Sequence, residues 1–156
     1  MPRSRSLPLV VCLAAALLAS VGCETTPKDE SAKAEPKTMP ILRDLEGSDP
    51  ALTAPDVVLI NSTEELTHTG STALANLNPD FATESMVLLA LGERPTGGYH
   101  GEITSVRRTA DTLIVTGIAH RPGPDEMVVQ VITYPFHAVM IPKTQNVRVQ
   151  PRIESK

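Results

Sequence analysis

The chain has 156 residues, a formal charge of −4 and few aromatic side chains, which limits the classes of protein that it can belong to. Its length allows one small domain besides a leader and a linker. The 18 acidic residues outnumber the 14 basic ones. This excess argues against a nucleic-acid partner, because contacts with phosphates need a basic patch.

The N-terminus has the pattern of a cleaved signal. Two arginines precede an apolar stretch, residues 7–18, which is too short to span a bilayer. Small side chains then lead to Cys23, and we predict that residues 1–22 are a signal peptide. This segment resembles the lipobox of bacterial lipoproteins, although Ser20 occupies the position where leucine is usual. The resemblance implies that Cys23 is acylated; an ordinary secretory signal cleaved nearby is the alternative.

Acyl chains on Cys23 would hold the protein on a membrane. We therefore expect a lipid-anchored protein of the bacterial cell envelope. Glu24 after the cysteine resembles the default sorting signal, which implies the periplasmic face of the outer membrane in a Gram-negative cell. Cys12, the other cysteine, lies in the signal peptide, so we expect no disulfide in the folded part. Removing residues 1–22 removes two basic residues and no acidic one, so the formal charge falls from −4 to −6.

Residues 23–55 read as a lipidated tether. They are rich in Lys, Glu, Asp, Ala, Thr and Pro, and such a composition buries too little apolar surface to offset the entropy of ordering. Residues 39–45 form a short apolar patch that docks on the domain in one interpretation. The folded domain is predicted to occupy residues 56–150.

The domain is predicted to be mainly β, an antiparallel sandwich or half-barrel with one or two short helices, α+β being the variant. Ser62 or Thr63, with Glu65 or Leu66 following, begins a capped helical turn that Gly70 closes, and a helix is expected within residues 66–77. Branched and apolar side chains between turn residues predict the strands. These predicted strands are residues 57–60, 85–91, 99–108, 112–120, 127–133, 136–141 and, closing an edge, 147–149.

No catalytic motif stands out, so we expect no enzymatic activity and no cofactor. The chain has no Gly-x-Ser-x-Gly elbow, phosphate-binding loop, His-Glu-x-x-His or free thiol nucleophile. A hairpin turning at residues 110–111 places His100 opposite Arg121 and His120 on the other face; a loop one residue different in length would bring the two histidines together. We predict scattered surface histidines and no metal site. Asp125 and Glu126 are interpreted as a solvated turn.

The order of motifs over residues 80–143 is similar to that of the C-terminal domain family of the protease complex subunit PrcB. The segments that carry this resemblance are Asp80-Phe81, the strand of residues 86–92, Pro95-Thr96-Gly97-Gly98-Tyr99, residues 128–133, Tyr134-Pro135-Phe136-His137 and Ile141-Pro142-Lys143. The resemblance implies a protein partner, a secreted protease or protease complex that the domain stabilises, and it supplies no catalytic residues.

The segment Pro95-Thr96-Gly97-Gly98-Tyr99 is the predicted partner-binding loop. Proline fixes one φ angle and glycines accept positive φ, so the backbone can turn sharply there. Tyrosine is a frequent anchor at interfaces. Tyr134 and Phe136 are predicted to support this loop or to extend its surface. The alternative is an ordinary strand connection in which Tyr99 caps the core.

Two other functions remain open. The loop is similar to the Asn-Pro-Thr-Thr-Gly-Tyr loop of chagasin-type inhibitors of cysteine proteases, which implies inhibition. Arg94 replaces the asparagine, however, and the chain has no tryptophan for the inhibitors' Arg-Pro-Trp loop. The other alternative is a structural envelope lipoprotein without a specific partner.

Overall fold

The computed structural model describes residues 35–156, which form eight strands, one α-helix and one short 3-10 helix. The strands are β1 (Lys37–Met39), β2 (Arg43–Ser48), β3 (Pro55–Ile60), β4 (Glu84–Leu91), β5 (His100–Arg108), β6 (Thr112–His120), β7 (Pro135–Pro142) and β8 (Arg148–Ser155); the helices are α1 (Thr63–His68) and the 3-10 turn Leu74–Leu77. The predicted signal peptide, Cys23 and the first part of the predicted tether lie outside the described residues. Neither helix in this range has the length and apolar character needed to cross a membrane.

The strands form two four-stranded sheets that pack face to face. Sheet A has the order β1-β5-β6-β8, and sheet B has the order β2-β7-β4-β3. All neighbouring strands are antiparallel except β6 and β8, which are parallel. The predicted small, mainly antiparallel β-sandwich is therefore confirmed.

Sheet B is covered on both faces, which explains the long apolar runs of its central strands. In β4, Val87 packs with sheet A, whereas Leu88 packs toward α1 and the 3-10 helix. A strand buried on both sides needs apolar residues at consecutive positions rather than at alternate ones. Residues 85–91 were recognised as a strand by this continuous run, and β4 and β7 form the centre of the molecule.

The capped turn predicted after Ser62 is α1. The Ser62 hydroxyl accepts a hydrogen bond from the Glu65 amide at 3.1 Å, and the Glu65 carboxylate accepts one from the Asn61 amide at 2.6 Å. The first bond satisfies an amide that the helix N-terminus leaves free, and the second ties the helix to the residue before its cap. Gly70 follows with a φ of +69°, as the predicted end of the helix requires.

Asp49 ties the end of β2 to the helical layer. It is 7% exposed, and its carboxylate accepts hydrogen bonds from the Ser71 hydroxyl at 2.6 Å and from the Ala51 amide at 2.9 Å. A longer bond from the Ala73 amide completes the set. Burial opposes ionisation, but these hydrogen bonds outweigh it and lower the pKa of Asp49.

We expect Asp49 to make the fold sensitive to acid. Because its pKa is lower in the folded state, its contribution is complete above the ordinary carboxyl pKa of about 3.9 and is lost as the pH falls through the lowered value. Denaturant unfolding should therefore show a stability that falls below about pH 4, with a shallower fall in Asp49→Asn. Exposed Asp125→Asn is the control, and an unchanged profile in Asp49→Asn would contradict the assignment.

The ordered domain begins earlier and ends later than predicted. β1 and β2 lie inside the predicted tether of residues 23–55, and β8 extends past residue 150. Both N-terminal strands are mostly exposed and are held by pairing with β5 and β7. Their polar composition does not predict strands. Hydrogen bonds to a strand far along the chain, rather than buried side chains, place β1 and β2 in the sheets.

The strand predicted for residues 127–133 is wrong. This segment has no regular secondary structure, and its only sheet-like pairing is one bridge between Arg94 and Thr133. Branched side chains favour a strand only where a neighbouring strand supplies hydrogen bonds and a surface to cover. Most apolar side chains of this segment face solvent instead, and Val128 alone is partly buried.

The pairing predicted for the β5–β6 hairpin is also corrected. A bulge at Thr104 shifts the register, so that His100 lies opposite His120 rather than opposite Arg121. The two imidazole rings stack with centroids 4.2 Å apart and planes 9° apart. His100 and His120 are therefore adjacent, which is the pairing expected if the hairpin register is shifted by one residue.

Candidate protein-binding surface

The predicted loop, residues 95–99, connects β4 to β5 and is fixed by its backbone. The Gly97 amide donates to the Val129 carbonyl at 2.8 Å, and the Thr133 hydroxyl donates to the Thr96 carbonyl at 3.0 Å. Arg94 and Thr133 exchange both of their backbone hydrogen bonds. The loop and residues 127–133 therefore form one unit, held together without a sheet.

Gly98 is required by both conformation and space. Its φ is +86°, and a Cβ atom there would lie 2.7 Å from the Val128 side chain and 3.0 Å from Pro122. Gly97 has no positive φ, and its nearest neighbour would be 3.5 Å away. Only the second glycine of the pair is thus needed to bring residues 122–129 against the loop.

Gly98→Ala should lower the free energy of unfolding by about 1 kcal/mol, since alanine resists positive φ, and should detach residues 127–132 from the loop. Gly97→Ala is the matched control, with a smaller expected effect. Denaturant unfolding gives the stability, and hydrogen exchange of the Gly97 amide reports its bond to Val129. Equal effects of the two variants would contradict this explanation.

Tyr99 is half-buried at the end of the loop and is not enclosed in the core. The Arg94 guanidinium carbon lies 5.6 Å from the centroid of its ring, and Arg94 Nη2 donates to the Leu91 carbonyl at 2.8 Å. The cation thus holds one side of the ring and is itself held by β4. This contact presents tyrosine in a fixed orientation, as an interface anchor requires.

The most exposed apolar side chains of the described residues lie next to this loop. We call residues 127–132 the apolar segment. Its large exposed side chains are Met127 at 99%, Val129 at 71%, Ile132 at 55% and Val131 at 51% exposure. Large apolar side chains exposed together in one segment are a feature of interaction sites. The sequence showed the apolar run but not its exposure, because the same run is typical of a buried strand.

Tyr134 and Phe136 have different roles from each other. The Tyr134 amide donates to the Ser48 hydroxyl at 2.9 Å, and its phenol donates to the Glu93 carboxylate at 3.2 Å. Partial desolvation and the nearby Glu93 raise the pKa of Tyr134. Phe136 is 2% exposed and packs beneath Gly47. This burial agrees with the supporting role, the first of the two roles predicted for Phe136.

A groove of about 510 Å³ lies beside the loop. Gly97, Gly98 and Tyr99 line one side, and residues 46–48 of β2 line the other. Pro135 and Phe136 contribute to its wall. Of the predicted contact residues, Gly97, Gly98, Tyr99 and Phe136 therefore line a concave surface, whereas Pro95, Thr96 and Tyr134 lie outside its lining.

The histidine and carboxylate side chains of residues 35–156 were compared with the arrangement that a metal site needs. No group of three or more His, Cys, Asp or Glu side chains in this range is placed to hold a metal ion. His137 instead accepts a hydrogen bond from the Ile103 amide on Nδ1 at 2.8 Å, and its Nε2 lies 3.4 Å from Asp44 Oδ2. Asp125 lies in an exposed turn, closed by the bond from the Glu126 amide to the Gly123 carbonyl.

Comparison with known proteins gives one family match, over part of the chain. No curated protein and no solved structure matches the chain significantly. Residues 85–142 match the family model described as PrcB C-terminal. This range runs from β4 to the end of β7 and includes the loop, the apolar segment and His137. The resemblance recognised in the sequence is therefore confirmed for this stretch, which carries the PrcB C-terminal pattern.

Proposed function

We propose that the protein is a lipid-anchored binding module of the bacterial cell envelope, without catalytic activity of its own, that associates with a secreted protease or protease complex and stabilises it. The family match supports a protease-associated role. The observation that carries the proposal is the apolar segment, fixed against the glycine loop while its side chains stay in solvent.

The energetic reason is the cost of leaving this segment uncovered. Apolar surface contributes about 25 cal/mol per Å² when it is removed from water. Met127, Val129 and Ile132 each leave more than half of the residue exposed, so most of the burial free energy that they could contribute is not gained in the fold as it stands. A partner that covers them, with Tyr99 beside them, would gain a core of contacts of the kind that dominates binding energy.

The anchor and the ordered domain lie close together along the chain in this proposal. β1 begins at Lys37, fourteen positions after Cys23. Such a length spans at most roughly 50 Å even when it is fully extended. The proposed partner is therefore one that works near the membrane surface.

The test is photo-crosslinking from the apolar segment in the native envelope. A photoreactive residue at position 127 should not disturb the fold, because Met127 is 99% exposed. The expected adduct contains a protease, identified by mass spectrometry and by its activity on a zymogram. Val129→Ser with Ile132→Ser, or Tyr99→Ala alone, should abolish the adduct while thermal unfolding stays the same.

Leu42→Ser is the control for loss of an exposed apolar side chain, since Leu42 is 47% exposed and lies in the connection between β1 and β2, outside the loop and the apolar segment. It should leave the adduct intact. Absence of any adduct would favour the structural envelope lipoprotein. Slowed cleavage by a papain-like protease in the presence of the purified protein would favour the chagasin-type inhibitor.

A further inference from the structure

Two spaces meet at Arg94, which lies between the end of β4 and the glycine loop. The first space is a cavity of about 40 Å³. The second is a cleft of about 430 Å³ between β3 and β8, the edge strands of the two sheets. Leu91, Arg94 and Ala119 line both spaces. The cavity and the cleft are therefore neighbours that share the Arg94 side chain.

The cavity has a polar and basic lining. Besides the three shared residues, it is lined by Tyr99, His120, Arg121 and Ser155. Two guanidinium groups and two hydroxyl groups therefore surround it. The Arg121 guanidinium donates to the Ser155 hydroxyl at 3.3 Å, and the Arg121 amide donates to the Lys156 carbonyl at 2.8 Å. These bonds hold Arg121 at the mouth of the cavity.

Arg94 carries a buried donor that the protein does not use. Its Nη2 donates to the Leu91 carbonyl at 2.8 Å, but its Nε is buried and has no hydrogen-bond partner within residues 35–156. Buried donors nearly always have a partner, because an unpaired one carries the full cost of its desolvation. Since Arg94 lines the cavity, its Nε–H is a donor for an acceptor bound there.

The charges around the cavity favour an anion. No carboxylate of the described residues lies within 4.0 Å of Arg94 or Arg121. Glu102 Oε2 lies 3.6 Å from His120 Nε2, so this carboxylate offsets the charge of His120 when the ring is protonated. In the cleft only Asp56 is acidic, and it accepts a hydrogen bond from the Val57 amide. The two guanidinium groups are therefore left to bind an anionic ligand.

The size of the cavity selects a carboxylate among anions. One water-sized atom needs about 10–15 Å³ of such space, so the cavity of about 40 Å³ holds about three of them. A carboxylate has three non-hydrogen atoms, whereas a phosphate group has five. The planar carboxylate also matches the fork of N–H donors on a guanidinium group.

The cleft beside the cavity is suited to an apolar chain. Its lining includes the aliphatic residues Val57, Leu89, Leu91, Ala119 and Ile153. Val57, Ala119 and Ile153 are only partly buried, so a chain that enters the cleft removes more of their surface from water. A largely apolar lining with a few convergent polar groups is the usual form of a small-molecule site.

We propose that this end of the sandwich binds a small carboxylate with an aliphatic chain, a ligand of the fatty-acid class. Its carboxylate occupies the cavity and accepts hydrogen bonds from Arg94 and Arg121, and its chain lies in the cleft between β3 and β8. No residue of the apolar segment lines either space. The proposal therefore does not depend on a protein partner and stands or fails apart from the proposed function.

The first experiment titrates the purified full chain with acetate, octanoate and octanamide. Octanoate should bind at least about tenfold more tightly than acetate, because its chain is buried in the cleft. Octanamide keeps the chain without the charge and should bind at least about tenfold more weakly than octanoate. Equal affinity for octanoate and acetate, or for octanoate and octanamide, would overturn the proposal.

Backbone amide NMR during the same titration locates the ligand. The largest shifts on adding octanoate are expected at Leu91, Ala119 and Ile153. Shifts confined to residues 127–132 would show adsorption to the apolar segment and would also overturn the proposal.

The second experiment compares two pairs of charge variants. Arg94→Gln with Arg121→Gln should weaken octanoate binding at least about tenfold and remove its advantage over octanamide. Arg148→Gln with Arg152→Gln removes the same charge from exposed positions of β8 that line neither space. This control should change binding by less than about twofold. Equal weakening by both pairs would mean an effect of net charge alone and no site.

Thermal unfolding shows whether the variants keep their fold. Arg94 also contacts the Tyr99 ring, so its replacement can lower stability. If it does, Arg121→Gln alone gives the same comparison, because Arg121 is exposed. It should weaken octanoate binding by at least about threefold while the melting temperature stays the same, and unchanged binding would contradict the assignment of the carboxylate to this cavity.

Discussion

Gly117→Ala is expected to lower the free energy of unfolding by about 3 kcal/mol, the upper part of the usual range for overpacking. Gly117 lies opposite Ile103, where β5 bulges toward β6. A Cβ atom there would be 2.5 Å from the Glu102 carbonyl oxygen and 3.1 Å from the Ile153 side chain. A carbonyl in a paired strand cannot move aside as a flexible side chain can, so the backbone of the hairpin must shift.

Gly123→Ala is the matched control for this variant. No atom lies within 4 Å of the position that its Cβ would take, and its φ is not positive. In denaturant unfolding, the free energy of unfolding of Gly117→Ala should be lower than that of Gly123→Ala by most of the loss expected for Gly117→Ala. Similar stabilities for both would show that the hairpin has room at Gly117.

His137→Leu is expected to cost about 1–3 kcal/mol, although leucine fills a similar volume in a buried site. The His137 side chain is 9% exposed and supplies the acceptor for the Ile103 amide. Leucine would leave that amide without a partner between the two sheets, and a buried donor without an acceptor carries the full cost of its desolvation. Thermal or denaturant unfolding measures the loss.

Two further variants test whether loss of the hydrogen bond to Ile103 causes the lower stability of His137→Leu. His68→Leu changes an exposed histidine on α1 and should have little effect. His137→Asn retains a side-chain acceptor and should recover part of the stability. Faster exchange of the Ile103 amide in His137→Leu than in wild type would locate the change; an unchanged rate would contradict the role assigned to this bond.

Much of the sandwich could be predicted because its central strands carry their signal locally. Residues 86–91 of β4 and 138–141 of β7 are continuous apolar runs, and Ser62 with Glu65 specifies the start of α1. β1 and β2 have no such signal. Only Met39 and Leu45 among their residues are partly buried, so their place in the fold depends on strands far along the chain.

Part of the candidate surface could also be predicted, because the glycine loop carries its signal in its own sequence. The glycine pair predicted a turn. In the structure, only Gly98 of the pair has the positive φ that requires glycine. The apolar segment was misread because side-chain chemistry sets a preference for strand but does not supply a neighbour. Gly117 inside a strand is a known sign of a bulge, and it could have corrected the pairing of His100 with His120.

The pairing of β2 with β7 has a consequence for how the chain matures. Arg43 pairs with Met140 and Ser48 with Pro135, so an early stretch of the polypeptide closes sheet B only after a late one is available. Closing so long a loop is slow, because its entropy is lost before the contacts repay it. Sheet B therefore cannot be completed until the chain has been synthesised almost to its last strand, whatever its earlier hairpins have formed by then.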